Sequence, residues 1–398
     1  MNESNFEDAL SKDGNFNEEE FLKAISGFYY DTLPDGGYKI TAVKTRDSSE
    51  QVIPYGVTVI GDRVFKESKW RTDKKIVIPD SVTHIGQEAF AYNDHLSEVE
   101  IGTGVRSIAA DAFARCEKLR AVHIADIGTW CKISFENNAS NPIKYGSFVY
   151  LNRKPIKDPV LPDWVEVIND RAFNFWSYVG SFTLPEGVKR IGKEAFTCCW
   201  GLNSINLPES LTEMGEGALS GCKDLKEIIL PRGLTKIPDK LFQGCVGLTK
   251  VTIPEKVTEI GKYAFKGCSG IREIDLPPAL TVIEDGLLDG AQSLESIDIP
   301  PSVDIIGNSA LASCANLTKI DLPESVTIVR AAAFKDCTEL RSITIPRGMR
   351  AIAEDAFAGC TTLINVFYGG TKKEWRGIHI DKGNKPLLKA KIHFDWKK

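Results

Sequence analysis

Proline recurs at Pro162, Pro185, Pro208, Pro231, Pro254, Pro277, Pro300, Pro323 and Pro346, each 23 residues after the last, with earlier members at Pro54 and Pro79. Eleven residues after each proline stands a large apolar side chain: Phe65, Phe90, Phe173, Phe196, Leu219, Phe242, Phe265, Leu288, Leu311, Phe334 and Phe357. Gly102 and Phe113 supply one more unit, with glycine in place of proline. A unit this short cannot bury its own apolar face, so the chain must stack unit on unit around a shared spine. Its 398 residues, ordinarily enough for two or three domains, can then serve one elongated array.

The unit Leu248 to Gly270 reads LTKVTIPEKVTEIGKYAFKGCSG. Leu248, Val251 and Ile253 form a short aliphatic run that predicts one strand of a parallel sheet, stopped by Pro254, which has no N–H for a ladder. Val257 and Ile260 continue inward, Gly261 permits a bend, and Tyr263-Ala264-Phe265 predicts a brief helical or 3₁₀ turn. Phe265 then fills the middle of the coil.

The pattern LxxIxIPxxVxxIGxxAFxGCxx resembles the BspA-type, or Treponema-type, leucine-rich repeat family over nearly the whole chain. The resemblance implies a β-rich leucine-rich-repeat solenoid: a parallel sheet with short turns, short N-terminal helices and a C-terminal β cap. DGGYKITAV (Asp35 to Val43) is similar to the β segment that opens such arrays, and Tyr368 to Phe394 to the segment that closes them. Members of the family are commonly bacterial surface proteins that engage host or neighbouring-cell molecules, which implies an adhesin-like role.

The step from Gly102 to Pro162 exceeds one period by 37 residues, which marks an insertion. Within it Trp130-Cys131-Lys132-Ile133-Ser134-Phe135, followed by Asn141-Pro142, echoes Trp375-Arg376-Gly377-Ile378-His379-Ile380 followed by Asn384-Lys385-Pro386. One module is therefore expected twice, with 149–151 a small strand beside the main sheet and a bend or break making two sub-arrays. Ahead of the repeats, Asn5 is placed to cap one helix and Asn17 with Glu20 to start a second over Glu18 to Tyr30. The expected organisation is a helical cover over 1–34, the opening β segment and first repeats over 35–124, the tryptophan-containing insert over 125–155, the main array over 156–366 and a cap over 367–398. The run Asp13 to Asn17 does not make a calcium loop, because Glu18 stands where glycine is needed and Ala24 where the bidentate glutamate belongs.

A formal charge of −5 with no Lys/Arg block gives no attraction to phosphate backbones, so nucleic acid is not expected as a partner. No apolar run reaches the roughly 18 residues of a membrane span, so no membrane insertion is expected. The first residues show no apolar signal core. The expected location is the cell surface or the secreted fraction if a signal has been removed, and otherwise the cytoplasm.

Eight of the ten cysteines fall three residues after the Phe or Leu of the unit: Cys116, Cys199, Cys222, Cys245, Cys268, Cys314, Cys337 and Cys360. Other units put Ser68, Asn93, Trp176 and Ala291 there, which argues for a buried packing column with free thiols, although neighbouring rungs come within disulfide range. Cys131 and Cys198 lie off this column, and there is no Cys-x-x-Cys pair for zinc. The five histidines are scattered, and no nucleophile elbow, phosphate loop or dinucleotide fingerprint occurs. The sequence therefore predicts neither an enzyme nor a cofactor.

Two candidate binding features remain. The residue two before each proline should point outward, and this row reads Thr183, Asn206, Ile229, Thr252, Asp275, Asp298, Asp321 and Thr344. Three consecutive aspartates, with Arg272, Lys319 and Arg341 on the same strand faces, suit a basic partner or a weak calcium site, or form a solvated polar face. The second feature is aromatic: Trp130, Phe135, Tyr145, Phe148, Tyr150, Trp164, Phe175, Trp176, Tyr178 and Trp200 crowd the insert and the repeats after it. Trp176 and Tyr178 are the best candidates for stacking on a sugar, with packing glue as the alternative. The expected partner is a protein or a glycan, and the chain is expected to be a monomer. An adhesin-like surface scaffold leads, with an intracellular protein-interaction scaffold and a carbohydrate-binding protein as rivals.

Overall fold

The computed structural model describes residues 18–44, 53–68, 74–144 and 146–397. Asn5, Asp13 to Asn17 and Tyr145 lie outside the described residues. The chain divides into two compact units, Met1–Tyr178 and Val179–Lys398.

In the first unit, two sheets run side by side through the coils. One joins Lys74–Ile78, Leu96–Ile101, Ala121–Ile124 and Phe148–Leu151 in parallel, with Lys154–Pro155 folding back antiparallel at its edge. The other joins Val57–Ile60, His84–Ile85, Ser107–Ile108 and Ser134–Phe135 in parallel, preceded by Tyr38–Val43 and an antiparallel edge strand Phe28–Thr32. Each coil thus carries two strands, a long one before the proline position and a short one after it, where the sequence suggested a single rung. The short strand has two residues in most coils, too few for an alternation to show.

The second unit repeats the plan. Its long row includes Glu227–Ile229 on Lys250–Thr252, and then Lys319–Asp321, Ser342–Ile345, Asn365–Tyr368 and Lys391–His393 in one parallel sheet. Its short row ends in a five-stranded parallel sheet of Val282–Ile283, Ile305–Ile306, Ile328–Val329, Ala351–Ile352 and His379–Ile380. The proline joins the two rows by a tight turn: its carbonyl accepts from the N–H three residues on, as in Val257 to Pro254 at 3.0 Å.

The turn around Tyr263-Ala264-Phe265 is not helical. Tyr263 sits at φ 59° and Gly267 at φ 72°, and Phe265 N–H donates to Leu287 of the next coil at 3.0 Å. Backbone bonding therefore runs from coil to coil here, much as in the sheets. The two left-handed positions repeat in step, the second at Cys198, Gly221, Gly244, Gly267, Gly290, Ser313, Asp336 and Gly359. A side chain in this conformation is disfavoured by about 1 kcal/mol, so Ser313→Gly is expected to raise unfolding stability by that amount in a urea titration.

The Phe and Leu spine is fully buried, with rings stacked along it: Phe65 on Phe90 at 5.0 Å, Phe242 on Phe265 at 5.4 Å and Phe334 on Phe357 at 5.2 Å. At the N-terminal end the helix covers only Glu18–Ala24, followed by a 3₁₀ turn Ile25–Gly27. The expected helix to Tyr30 stops early because the aromatic run from Phe28 pairs with Tyr38–Val43 instead.

The two tryptophan-containing segments build the same arrangement. Asp126 caps the helix Ile127–Trp130, after which Ser134–Phe135 joins the short row and Phe148–Leu151 the long row. Thr371 and Glu374 form a capping box on Lys372–Trp375, after which His379–Ile380 and Lys391–His393 join the same two rows. Phe148–Leu151 is thus an integral sheet member, in register with Ala121–Ile124, not a strand beside the sheet.

Candidate interaction surface

The cysteine column is accounted for by backbone chemistry. Thiols of the column donate to the carbonyl of the spine residue one coil back: Cys116 to Phe90, Cys245 to Leu219, Cys268 to Phe242, Cys337 to Leu311 and Cys360 to Phe334, all at 3.1 Å. Asn93 does the same with its amide, to Phe65 at 2.8 Å. From the inserted segment Lys144 reaches Phe113 at 2.6 Å, and burial holds its amine below the usual lysine range. In these coils the position carries a hydrogen-bond donor, while Ala291 fills it in another coil by volume alone.

Burial pushes the Cys314 and Cys360 thiols up to about 12 and holds Cys222, Cys268 and Cys337 well above their ordinary value. Cys131, off the column, is likewise raised to about 12 by burial and donates to Gly128 at 3.1 Å. A thiol reagent at pH 8 is expected to label the native chain at most at half-buried Cys198, and all ten cysteines after denaturation. Prompt labelling of several thiols in the native state would contradict this packing.

Among the aspartates of the outward row, Asp275 and Asp298 are exposed, on stretches of the long row without regular strand pairing. Asp321 differs. It accepts from Thr344 Oγ1 at 2.6 Å and pairs with Lys319 at 2.8 Å, so both charges are engaged within the chain. Arg272 is exposed, and Arg341 lies 3.5 Å from Glu339. The predicted six-residue strip therefore reduces to Asp275, Asp298 and Arg272 as open charges. In the same row Ile229 is 69% exposed, more than any other large apolar side chain among the described residues. The signal for it was present in the sequence as the lone aliphatic in a polar row.

The aromatic candidates separate sharply. Trp176 is 1% exposed, packed edge-on against Phe173 at 4.9 Å and near Trp130 at 6.4 Å, so it cannot meet a partner. Tyr178 is 51% exposed but lies flat on Phe148 at 4.3 Å, and Tyr150 lies flat on His123 at 4.6 Å. Lys132 covers one face of Trp164 at 4.3 Å. Each of these exposed rings has one face committed to a neighbour, which leaves at most the other face for stacking. Alongside, Glu98 pairs with Lys75 at 3.1 Å and with His123 at 3.0 Å, and burial holds the His123 imidazole below its ordinary pKa. No group of three or more His, Cys, Asp or Glu among the described residues is arranged to hold a metal ion, and no described helix is long and apolar enough to cross a membrane.

The profile of the BspA type leucine rich repeat region, six copies of it, matches residues 45–141, 141–271 and 235–364. The chain belongs to the BspA-type leucine-rich repeat family. Among solved structures, this BspA-type chain is similar to a leucine-rich repeat protein from Bacteroides ovatus, with 24% identity over 92% of this chain and 98% of that one and a TM-score of 0.61. It is also similar to a leucine rich cell surface protein from Faecalibacterium prausnitzii, with 24% identity over 89% and 96% of the two chains and a TM-score of 0.55. At that identity the likeness shows the fold. A search of curated proteins gives no match. A BspA-type solenoid of this kind is a repeat scaffold suited to binding proteins.

Proposed function

We propose that the chain is a non-enzymatic binding scaffold that engages a protein through the outward face of the long-strand row in residues 179–398. One observation carries this reading: Ile229 stands 69% exposed in a row that also offers Asp275 and Asp298 to solvent, while the neighbouring inward residues Ile228, Ile274 and Ile297 are buried. An exposed apolar anchor beside uncompensated carboxylates suits a partner surface that carries basic groups. The site is placed on the cell surface, in an adhesin-like role, a reading supported by the description of the Faecalibacterium neighbour. A second reading, an intracellular scaffold, is favoured by the column of buried free thiols, which suits a reducing compartment.

The test is retention of host extracellular and bacterial proteins on immobilised chain, repeated with Ile229→Asp and with the pair Asp275→Asn and Asp298→Asn. A protein held by the wild type should be lost at least about tenfold by either variant, and kept by Tyr178→Ser. No retained protein, or one held equally by all variants, would overturn the assignment.

A further inference from the structure

The outward position of the short-strand row changes character partway along the second unit. Over its first coils the position is filled by Arg190, Glu213, Lys236 and Glu259, paired across neighbouring coils at 3.1 Å for Arg190 with Glu213 and 2.6 Å for Lys236 with Glu259. In the next four coils the same position is Val282, Ile305, Ile328 and Ala351, all partly exposed and in register on consecutive parallel strands, with His379 completing the sheet. A charged, self-satisfied ladder thus gives way to an aliphatic one on the same face. Beside it Asp304 and Arg350, each just ahead of its strand, are exposed, and no ion pair within the chain engages either among the described residues.

The two sides of the middle strand are complementary in size and charge at equal distances from it. Ile305 lies one strand to one side of Ile328 and Ala351 one strand to the other. Asp304 and Arg350 flank Thr327 in the same way, and the backbone ties the three together: Thr327 N–H donates to Asp304 and Arg350 N–H to Thr327. A twofold axis over Ile328, parallel to the strands, reverses the order of strands and leaves each flank on its own side. The large side chain of Ile305 then faces the small one of the partner's Ala351, and Asp304 faces the partner's Arg350, with both contacts made twice.

We propose that this five-stranded face is where a second copy of the chain docks, face to face and with its coils in the reverse order. The contact lies on a different row from Ile229, Asp275 and Asp298, so it stands or falls separately from the binding role. It departs from the monomer expected from sequence. Sheets packed this way sit about 10 Å apart, and a face only two residues wide on each strand suits a weak, reversible dimer, not an obligate one.

The test is sedimentation equilibrium of the full chain. Between about 1 and 200 µM the weight-average mass should climb from 43.9 kDa toward twice that value. Ile328→Lys, on the axis, should hold it at the monomer mass, with an unchanged circular dichroism spectrum showing that the outward substitution leaves the fold intact. Asp304→Arg or Arg350→Asp alone should weaken association at least about tenfold, and the two together should restore it, because only a reversed copy brings these positions opposite each other. A monomer across the whole range, a dimer indifferent to Ile328→Lys, or a double variant no better than the singles would each overturn the proposal.

Discussion

Phe265→Ala is expected to lower the unfolding free energy by about 4 kcal/mol, read as a shifted midpoint in a urea titration followed by circular dichroism. The ring is fully buried and stacks on Phe242 at 5.4 Å. The coils cannot close over the hole, because Phe242 N–H donates to Ala264 at 2.8 Å and Phe265 N–H to Leu287 at 3.0 Å, which fixes the spacing between coils. A cavity that cannot collapse sits at the costly end of large-to-small changes. Phe265→Leu reproduces what position 288 already carries and should cost only about 1 kcal/mol. Because each coil contacts its neighbours alone, faster amide exchange in the alanine variant should begin in the coils around residues 242–288 and spread outward. Uniform acceleration along the unit would speak against a nearest-neighbour stack.

The contrast between Phe265 and its surroundings shows what the chain discloses before folding. The spine is legible because bulk is required at one place in every unit, and repetition of bulk needs no geometry to be read. The second strand is not, since His84–Ile85 or Glu259–Ile260 is too short for an alternation, and its pairing becomes visible only when coils are set side by side. The left-handed positions are equally hidden: glycine marks Gly244 and Gly267, but Cys198, Ser313 and Asp336 adopt the same backbone because the coil imposes it. The burial of Trp176 is legible in the sequence. This residue occupies the column that holds cysteine elsewhere, and that placement alone argues for burial, whereas Tyr178 two residues on belongs to no inward position. Asp321 could also have been set apart, since Thr344 follows it by one period and therefore lies beside it on the next strand. What no periodicity discloses is how far a charge is answered by its neighbours, which is why Asp275, Asp298 and Asp321 look alike in sequence and differ in the folded chain.

Asn93→Leu is expected to cost about 3 kcal/mol, and the reason lies in what the buried column must do. The amide donates to Phe65 at 2.8 Å and Phe90 at 2.7 Å, and its oxygen accepts from Ser68 N–H at 2.9 Å. Leucine fills the volume and keeps none of these bonds. The two carbonyls are not stranded, because Ser68 Oγ still donates to Phe65 at 2.7 Å and Cys116 to Phe90 at 3.1 Å. The Ser68 N–H loses its acceptor outright, and that unsatisfied donor carries the largest share of the cost. Asn93→Cys installs the group most coils use here and restores a donor toward Phe65 while still leaving Ser68 N–H unanswered, so its loss should be about half that of leucine. Urea midpoints for the two variants decide the matter. If leucine and cysteine prove equally costly, or leucine is harmless, the column is filled for volume and the donor has no role. The predicted order, wild type above cysteine above leucine, follows only if the donor at position 93 is needed as well as its volume, whereas Ala291 fills the same place in its own coil with no side-chain donor.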